Sequence, residues 1–176
     1  MNIKIKRFHE NAVLPKKGTN LAACHDLVAT EIIYDPEIEN RVICKFGWGM
    51  TPPEGYKVEI SPRSSFSKYK WVMNNSPGQG DRDYQGEYMV VFNAIPMGVE
   101  VDIEACVSEN THGDLCINEG FSERVWLTYD DFPYKIGDRV AQMWITKVNE
   151  FKFEEVDELP KINSNRGTGG FGSTGK

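Results

Sequence analysis

Two places in this chain carry residue types suited to phosphate or to water chemistry. The first is the segment from Arg166 to Lys176, where five of eleven residues are glycine. Backbone N–H groups freed by glycine, joined by the Arg166 guanidinium, suit a wrapped phosphate chain. Phe171, alone among glycines, offers a face on which a base can stack. Gly167-Thr168-Gly169-Gly170-Phe171-Gly172 also fits G-x-G-x-x-G, and Gly170 through Lys176 fits most of a Walker A loop. Both patterns need a strand before and a helix after, because the helix N-terminus holds the phosphate. The sequence stops at Lys176, so neither nucleotide fold is expected, and the bland alternative is a disordered polar tail. The second place is Gly80-Asp81-Arg82-Asp83-Tyr84-Gln85-Gly86. A carboxylate with a reference pKa of about 3.9 is ionised at neutral pH and can take a proton from a positioned water. Taken alone, Asp81 in such a turn is more often an ordinary turn residue.

The elements that must hold these residues read as strands. Short β-branched and aromatic runs recur at Ile3–Ile5, Leu27–Tyr34, Arg41–Phe46, Tyr56–Ile60, Tyr88–Phe92, Val99–Cys106, Val125–Tyr129 and Arg139–Val148. Gly, Pro, Asn and Asp clusters punctuate them at Thr51–Gly55, Asn74–Gly80 and Tyr134–Asp138, which indicates a sandwich or barrel. One short helix is expected over Arg63–Lys70, with Ser64 and Ser65 serving its N-terminus. The fold class is all-β. The segment at about 103–134 is mixed and turn-rich. The glycines at the end cannot pack a core and should be mobile unless a ligand orders them.

With 176 residues and 40% hydrophobic side chains, the chain suits one domain with its own core. The net charge of −6 argues against a nucleic-acid polymer or a membrane as partner and favours a small anionic ligand held by local cations. The strand-like N-terminus lacks the apolar run of a signal peptide, and no stretch has the length of a membrane span. Cys24, Cys44, Cys106 and Cys116 form no C-x-x-C pair, so reduced thiols in a cytoplasmic protein are expected.

Five segments in order decide between these readings. They are Ala22-Ala23-Cys24-His25-Asp26-Leu27, Pro62-Arg63-Ser64-Ser65, the Gly80–Gly86 turn, Gly137-Asp138-Arg139-Val140-Ala141-Gln142, and Arg166 through Gly175. In this order they resemble the five motifs of the trimeric dUTPase family. The resemblance implies a jelly-roll-like β-barrel, a homotrimer with shared active sites, and hydrolysis of dUTP to dUMP and pyrophosphate with Mg2+. It implies a barrel domain over 1–160, with an insert at about 103–134, and a Gly-rich C-terminal arm over 161–176.

By the same resemblance, Asp81 matches the general base. Asp26 matches the acidic residue near Mg2+, reached through water. Arg63, Ser64, Ser65 and Gln142 match phosphate contacts. Asn75, Gln79, Gly80 and Met89 fall where the family builds its uracil-reading hairpin. Tyr84 matches the aromatic that packs on deoxyribose. Arg166 would approach the γ-phosphate, Phe171 would cover the uracil, and Gly172 and Ser173 belong to the same substrate-binding motif. Asp138 and Arg139 are expected to form an ion pair or to bond a turn.

Three departures stand out. Gln79-Gly80 replaces a pair that is usually apolar, Cys24-His25 replaces a common Gly-aromatic pair, and the spacing from Asp81 to Gly137 is long. Inserts at this place are commoner in phage-encoded relatives, which would put the protein in a host cytoplasm. The rival readings are a dCTP deaminase-like enzyme, mono- or bifunctional, and a regulator that binds a protein partner through the insert. Phe121, Trp126, Tyr129 and Phe132 would be the anchors of that partner, with a small satellite core as the preferred alternative.

Overall fold

The computed structural model describes residues 2–96 and 131–162, together with the backbone of four strands between them, at 98–102, 107–109, 115–117 and 124–128. The fold is all-β, with one 3-10 helix at Ser64–Lys68 among the described residues. Its chain order is β1 (Lys4–Arg7), β2 (His25–Val28), β3 (Glu31–Tyr34), β4 (Arg41–Lys45), β5 (Trp48–Thr51) and β6 (Tyr56–Pro62). After the helix come β7 (Trp71–Met73), β8 (Gly78–Gly80), β9 (Met89–Ala94), β10 (Gly98–Asp102), β11 (Val107–Glu109), β12 (Leu115–Ile117), β13 (Arg124–Thr128) and β14 (Arg139–Lys147).

Two four-stranded antiparallel sheets enclose the core, one ordered β2-β14-β6-β8 and the other β3-β4-β9-β7. Alternation in the sequence sets which side chains go in. In β4 the buried residues are Val42 and Cys44; in β9 they are Val90 and Phe92, and the register sets Val42 beside Phe92 and Cys44 beside Val90. From the other sheet Val58, Ile60, Leu27, Val140 and Met143 join the same cluster. β1 and β5 form a two-stranded flank.

The expected strand at Leu27–Tyr34 is two strands. The chain leaves one sheet at Val28 and enters the other at Glu31, and the crossing is fixed by a buried bond from Thr30 Oγ1 to the Phe46 carbonyl, 2.8 Å. The helix is shorter than expected and differently capped. Arg63 is its N-cap and makes no side-chain capping bond, so Ser64 and Ser65 lie inside the first turn. Ser67 Oγ donates to the Ser64 carbonyl instead, at 2.8 Å. The turn cluster at Asn74–Gly80 ends in an edge strand, β8, which pairs with β6 from Val58 to Ile60.

Phe132 is buried in the main core, with its ring 4.9 Å from Trp71 and 5.4 Å from Phe92. It is therefore neither an exposed anchor nor part of a satellite core. The side chains of Phe121, Trp126 and Tyr129 lie outside the described residues, as do Arg166, Phe171, Gly172, Ser173 and the rest of 163–176. Among the described residues no helix is long and apolar enough to cross a membrane. Cys24 and Cys44 are free thiols. Burial pushes the Cys44 thiol up to about 12, which keeps it protonated and unreactive at neutral pH.

Candidate active site

The first cluster is a row across three strands. Register places Asp26 of β2 beside Gln142 of β14, and Gln142 beside Ser61 of β6. Because β6 runs directly into Pro62 and Arg63, the same row ends on the guanidinium that precedes the helix. Arg63 Nε lies 3.2 Å from Asp26 Oδ1, and Arg139 Nη1 lies 3.0 Å from Asp26 Oδ2. Arg63 Nη1 also donates to the Arg139 carbonyl at 3.2 Å. Gln142 Nε2 donates to the Pro62 carbonyl at 3.0 Å, which ties β14 to the residue before Arg63. Ser64 and Ser65 follow in the first helical turn, where backbone amides have no partner inside a helix. Phe66 anchors that turn, its ring 4.8 Å from Phe92 and stacked on Tyr134 at 5.7 Å. Burial raises the Tyr134 phenol, while Ser65 and the Arg63 charge pull it the other way.

Asp138 and Arg139 do not pair with each other. Asp138 Oδ2 accepts from the Lys135 amide at 2.9 Å and closes the turn before β14, while Arg139 reaches Asp26. Beside this pair lies a cavity of about 280 Å³ lined by Lys16, Lys17, Gly18, Asp26 and Arg139. Lys16 is joined to Asp26 by two backbone bonds, so the basic pair is fixed to the row. Sequence reading missed Lys16 and Lys17; the signal was two adjacent cations between Pro15 and Gly18.

The second cluster is the turn after β8. A cavity of about 230 Å³ brings together Asn75, Gln79, Gly80, Asp81, Tyr84 and Met89. The Asp81 carbonyl accepts from the Tyr84 amide at 3.3 Å, and Tyr84 Oη donates to the Glu87 carbonyl at 2.9 Å. Gly86 is required here, since a Cβ would lie 2.5 Å from the Tyr84 hydroxyl. Asn75 Oδ1 accepts from the Val91 amide at 3.2 Å, so this side chain fastens the hairpin to β9. Gln79 stands on the exposed face of β8 and accepts from Lys57 Nζ at 2.7 Å, which accounts for a polar residue where an apolar one is usual. Among the described residues no side chain bonds or pairs with the Asp81 carboxylate, which is exposed.

Within one chain the two clusters are separate. Gln142 meets β6 at Ser61 and Gly80 meets it at Val58, three residues apart, or roughly 10 Å at the rise of a strand. Asp81 follows the last pair of the β6–β8 ladder, Gly80 with Val58.

Together these features define an all-β sandwich class with a carboxylate–arginine row running in from the edge strand β2 and an acidic turn over a polar hairpin. Comparison with known proteins makes it specific. The dUTPase family model matches residues 10–107 and 125–175, leaving 108–124 unmatched. The chain is 30% identical over its whole length to deoxyuridine 5'-triphosphate nucleotidohydrolase of Wolinella succinogenes, of which it covers 95%. In fold it is similar to the Staphylococcus bacteriophage 80alpha dUTPase with dUPNHPP, with TM-score 0.68, 22% identity and 99% of each chain covered. It is also similar to a mutant dUTPase from phage phi11 of S. aureus, described as coordinating a structural Mg(II) ion. That likeness has TM-score 0.62 and 19% identity, covering 92% of this chain and 100% of that one. The chain belongs to the dUTPase family.

Proposed function

We propose that this chain hydrolyses dUTP to dUMP and pyrophosphate, with Asp81 as the general base. The observation that carries the reading is the hairpin cavity, which sets Asp81 and Tyr84 on the same space as Asn75, Gly80 and Met89. In the reaction, water oxygen bonds to the α-phosphorus while the bond from that phosphorus to the bridging oxygen breaks. Asp81 takes the proton of the water, and pyrophosphate leaves. An exposed carboxylate without a paired cation keeps its oxygens available for that proton. The hairpin amides and carbonyls at 78–80 read uracil, and the Tyr84 ring packs on deoxyribose and closes the space a 2′-hydroxyl would need.

Arg63, Ser64, Ser65 and Gln142 hold the phosphate chain, with Arg139, Lys16 and Lys17 adding positive charge beside them. From the arm, Arg166 approaches the γ-phosphate, Phe171 covers uracil, and Gly172 and Ser173 add contacts to the substrate. Asp26 suits Mg2+ only through water. Both of its oxygens already meet guanidinium groups, and no cluster of three or more acidic, His or Cys ligands exists among the described residues. Each carboxylate oxygen retains a lone pair able to accept from a metal-bound water. When bound, Mg2+ would neutralise phosphate charge at the leaving group.

The separation of row and turn within one chain fits a homotrimer whose sites lie between subunits, with the turn and the arm supplied by subunits other than the one supplying the row. The test is pyrophosphate release measured side by side for dUTP, dCTP, dTTP and UTP, with light scattering on the same sample. Preference for dUTP by a particle of three chains is expected. Turnover of dCTP at an equal rate, or full activity from a monomer, would refute the reading.

A further inference from the structure

Gly80 and Tyr88 both line the hairpin cavity, and the Tyr88 phenol packs directly against Gly80. Tyr88 precedes β9, and its backbone is clamped by bonds from the Phe46 amide, 3.1 Å, and to the Trp48 carbonyl, 3.0 Å. Its ring stacks on Trp48 at 5.5 Å and meets Tyr84 edge-on at 5.4 Å. The residue is 4% exposed, yet its hydroxyl is buried without a hydrogen-bond partner. A Cβ on Gly80 would lie 2.5 Å from that hydroxyl, so the space freed by glycine is filled by the phenol. The next residue along the chain is Asp81.

Burial, and then the charges of Tyr84 and Asp81, push the phenol up to about 12, so it is a proton donor throughout the neutral range. Among the described titratable neighbours, Tyr84 meets the ring edge-on and its own hydroxyl is spent on the Glu87 carbonyl. Glu87 is turned away, accepting from the Gly47 amide at 2.7 Å with His9 at 4.0 Å, and Arg82 and Asp83 are exposed on the turn. The rings packed behind it, Phe46 and Trp48, form an apolar stack at 5.5 Å. Filling the space above Gly80 needs only a ring; phenylalanine would do so without leaving a donor unpaired.

We infer that Tyr88 is a positioning residue, whose hydroxyl donates to the Asp81 carboxylate when nucleotide and water occupy the cavity and so fixes which oxygen takes the proton. The inference rests on the reading of Asp81 as the base. The test compares the full-length protein with Tyr88→Phe by kcat and KM for dUTP across pH, and by thermal melting. Loss of one hydrogen bond to a charged group should lower kcat about 10-fold. The acid limb of kcat should rise by about one pH unit, since a donor bond favours the ionised carboxylate. KM should hold within about 2-fold if the bond serves the transition state. The melting temperature should hold or rise, because an unpaired buried hydroxyl has been removed.

Wild-type kcat with an unmoved acid limb in Tyr88→Phe would overturn the inference. If Asp81→Asn loses turnover in the same experiment, the base assignment survives that result. If the wild-type protein releases no pyrophosphate from dUTP, the functional reading falls first and takes this inference with it. Gly80→Ala gives an independent check of the packing. Its Cβ should lower the melting temperature in the Tyr88 protein and lower it less in combination with Tyr88→Phe.

Discussion

Asp26 and Asp81 are both carboxylates of the proposed site, and the fold treats them in opposite ways. Asp26 sits on β2, the edge strand of its four-stranded sheet, 18% exposed at its side chain and held between Arg63 and Arg139. Asp81 stands on an exposed turn, and among the described residues no cation pairs with it. A carboxylate with a guanidinium on each oxygen has its hydrogen-bonding directions largely taken and serves to fix the two arginines in place. A carboxylate with no paired cation keeps both oxygens open to a bound water, which is the contact the proposed base needs. The division of labour follows from partners rather than from the acids themselves.

The sharpest way to break this comparison is to remove each charge. Asp81→Asn should lower kcat about 100- to 10,000-fold, while the melting temperature and the binding of a non-hydrolysable dUTP analogue stay near wild type. Asp26→Asn should do the reverse in part. It leaves two cations without their anion, so it should cost about 1–2 kcal/mol in denaturant unfolding, discounted for partial exposure. It should also raise the Mg2+ concentration needed for half-maximal rate. Should Asp81→Asn destabilise more than Asp26→Asn, the contrast between a structural and a chemical carboxylate would fail.

A smaller effect separates the turn from the row by substrate choice. Tyr84 lines the hairpin cavity and is held by its bond to the Glu87 carbonyl, whereas Arg63 and Gln142 contact neither. Tyr84→Ala should therefore narrow the preference for dUTP over UTP. Excluding one unpaired hydroxyl is worth about 1–3 kcal/mol, or roughly 5- to 150-fold in kcat/KM. Arg63→Ala should weaken both substrates alike. A loss of sugar discrimination in Arg63→Ala but not Tyr84→Ala would exchange the roles.

The two regions also differ in how far the sequence disclosed them. The turn was legible because its parts are contiguous, running from Gly80 to Gly86. The row was legible only as separate motifs. The Asp26–Arg139 pair joins residues 113 apart, and spacing alone favoured Asp138 or the turn as the partner of Arg139. Strands with alternating burial, such as β4 and β9, were found nearly at their bounds. β5 was missed because Trp48, Gly49 and Met50 are buried together, which erases the alternation. β8 was missed because glycine at both ends reads as a turn, and only pairing with β6 makes it a strand. The sheet change at Ala29–Thr30 left no break in the apolar pattern. Tyr88 reads as an ordinary core aromatic, and its unpaired hydroxyl is a property of the packing around Gly80.

The finest test of the comparison lies inside the row. Arg63 and Arg139 share one carboxylate, but their side chains are 25% and 53% exposed. Solvent screens the Arg139 pair more strongly, and a half-exposed guanidinium contributes about 0.2–1 kcal/mol at most. Arg63 is better enclosed and makes a second bond, to the Arg139 carbonyl. Arg63→Met should then be the costlier change by a few tenths to about 1 kcal/mol. The two effects should not add, because each arginine also shields the charge left to the other. A double-mutant cycle in urea, run at low and at high salt, measures both statements. High salt should erode the Arg139→Met cost first, since exposed pairs are the ones salt reaches. Equal costs with equal salt sensitivity would mean that Asp26 is held by charge alone and not by the geometry of β2, β14 and the end of β6. In that case the role proposed for it, a fixed carboxylate that would hold Mg2+ through water, would lose its structural basis.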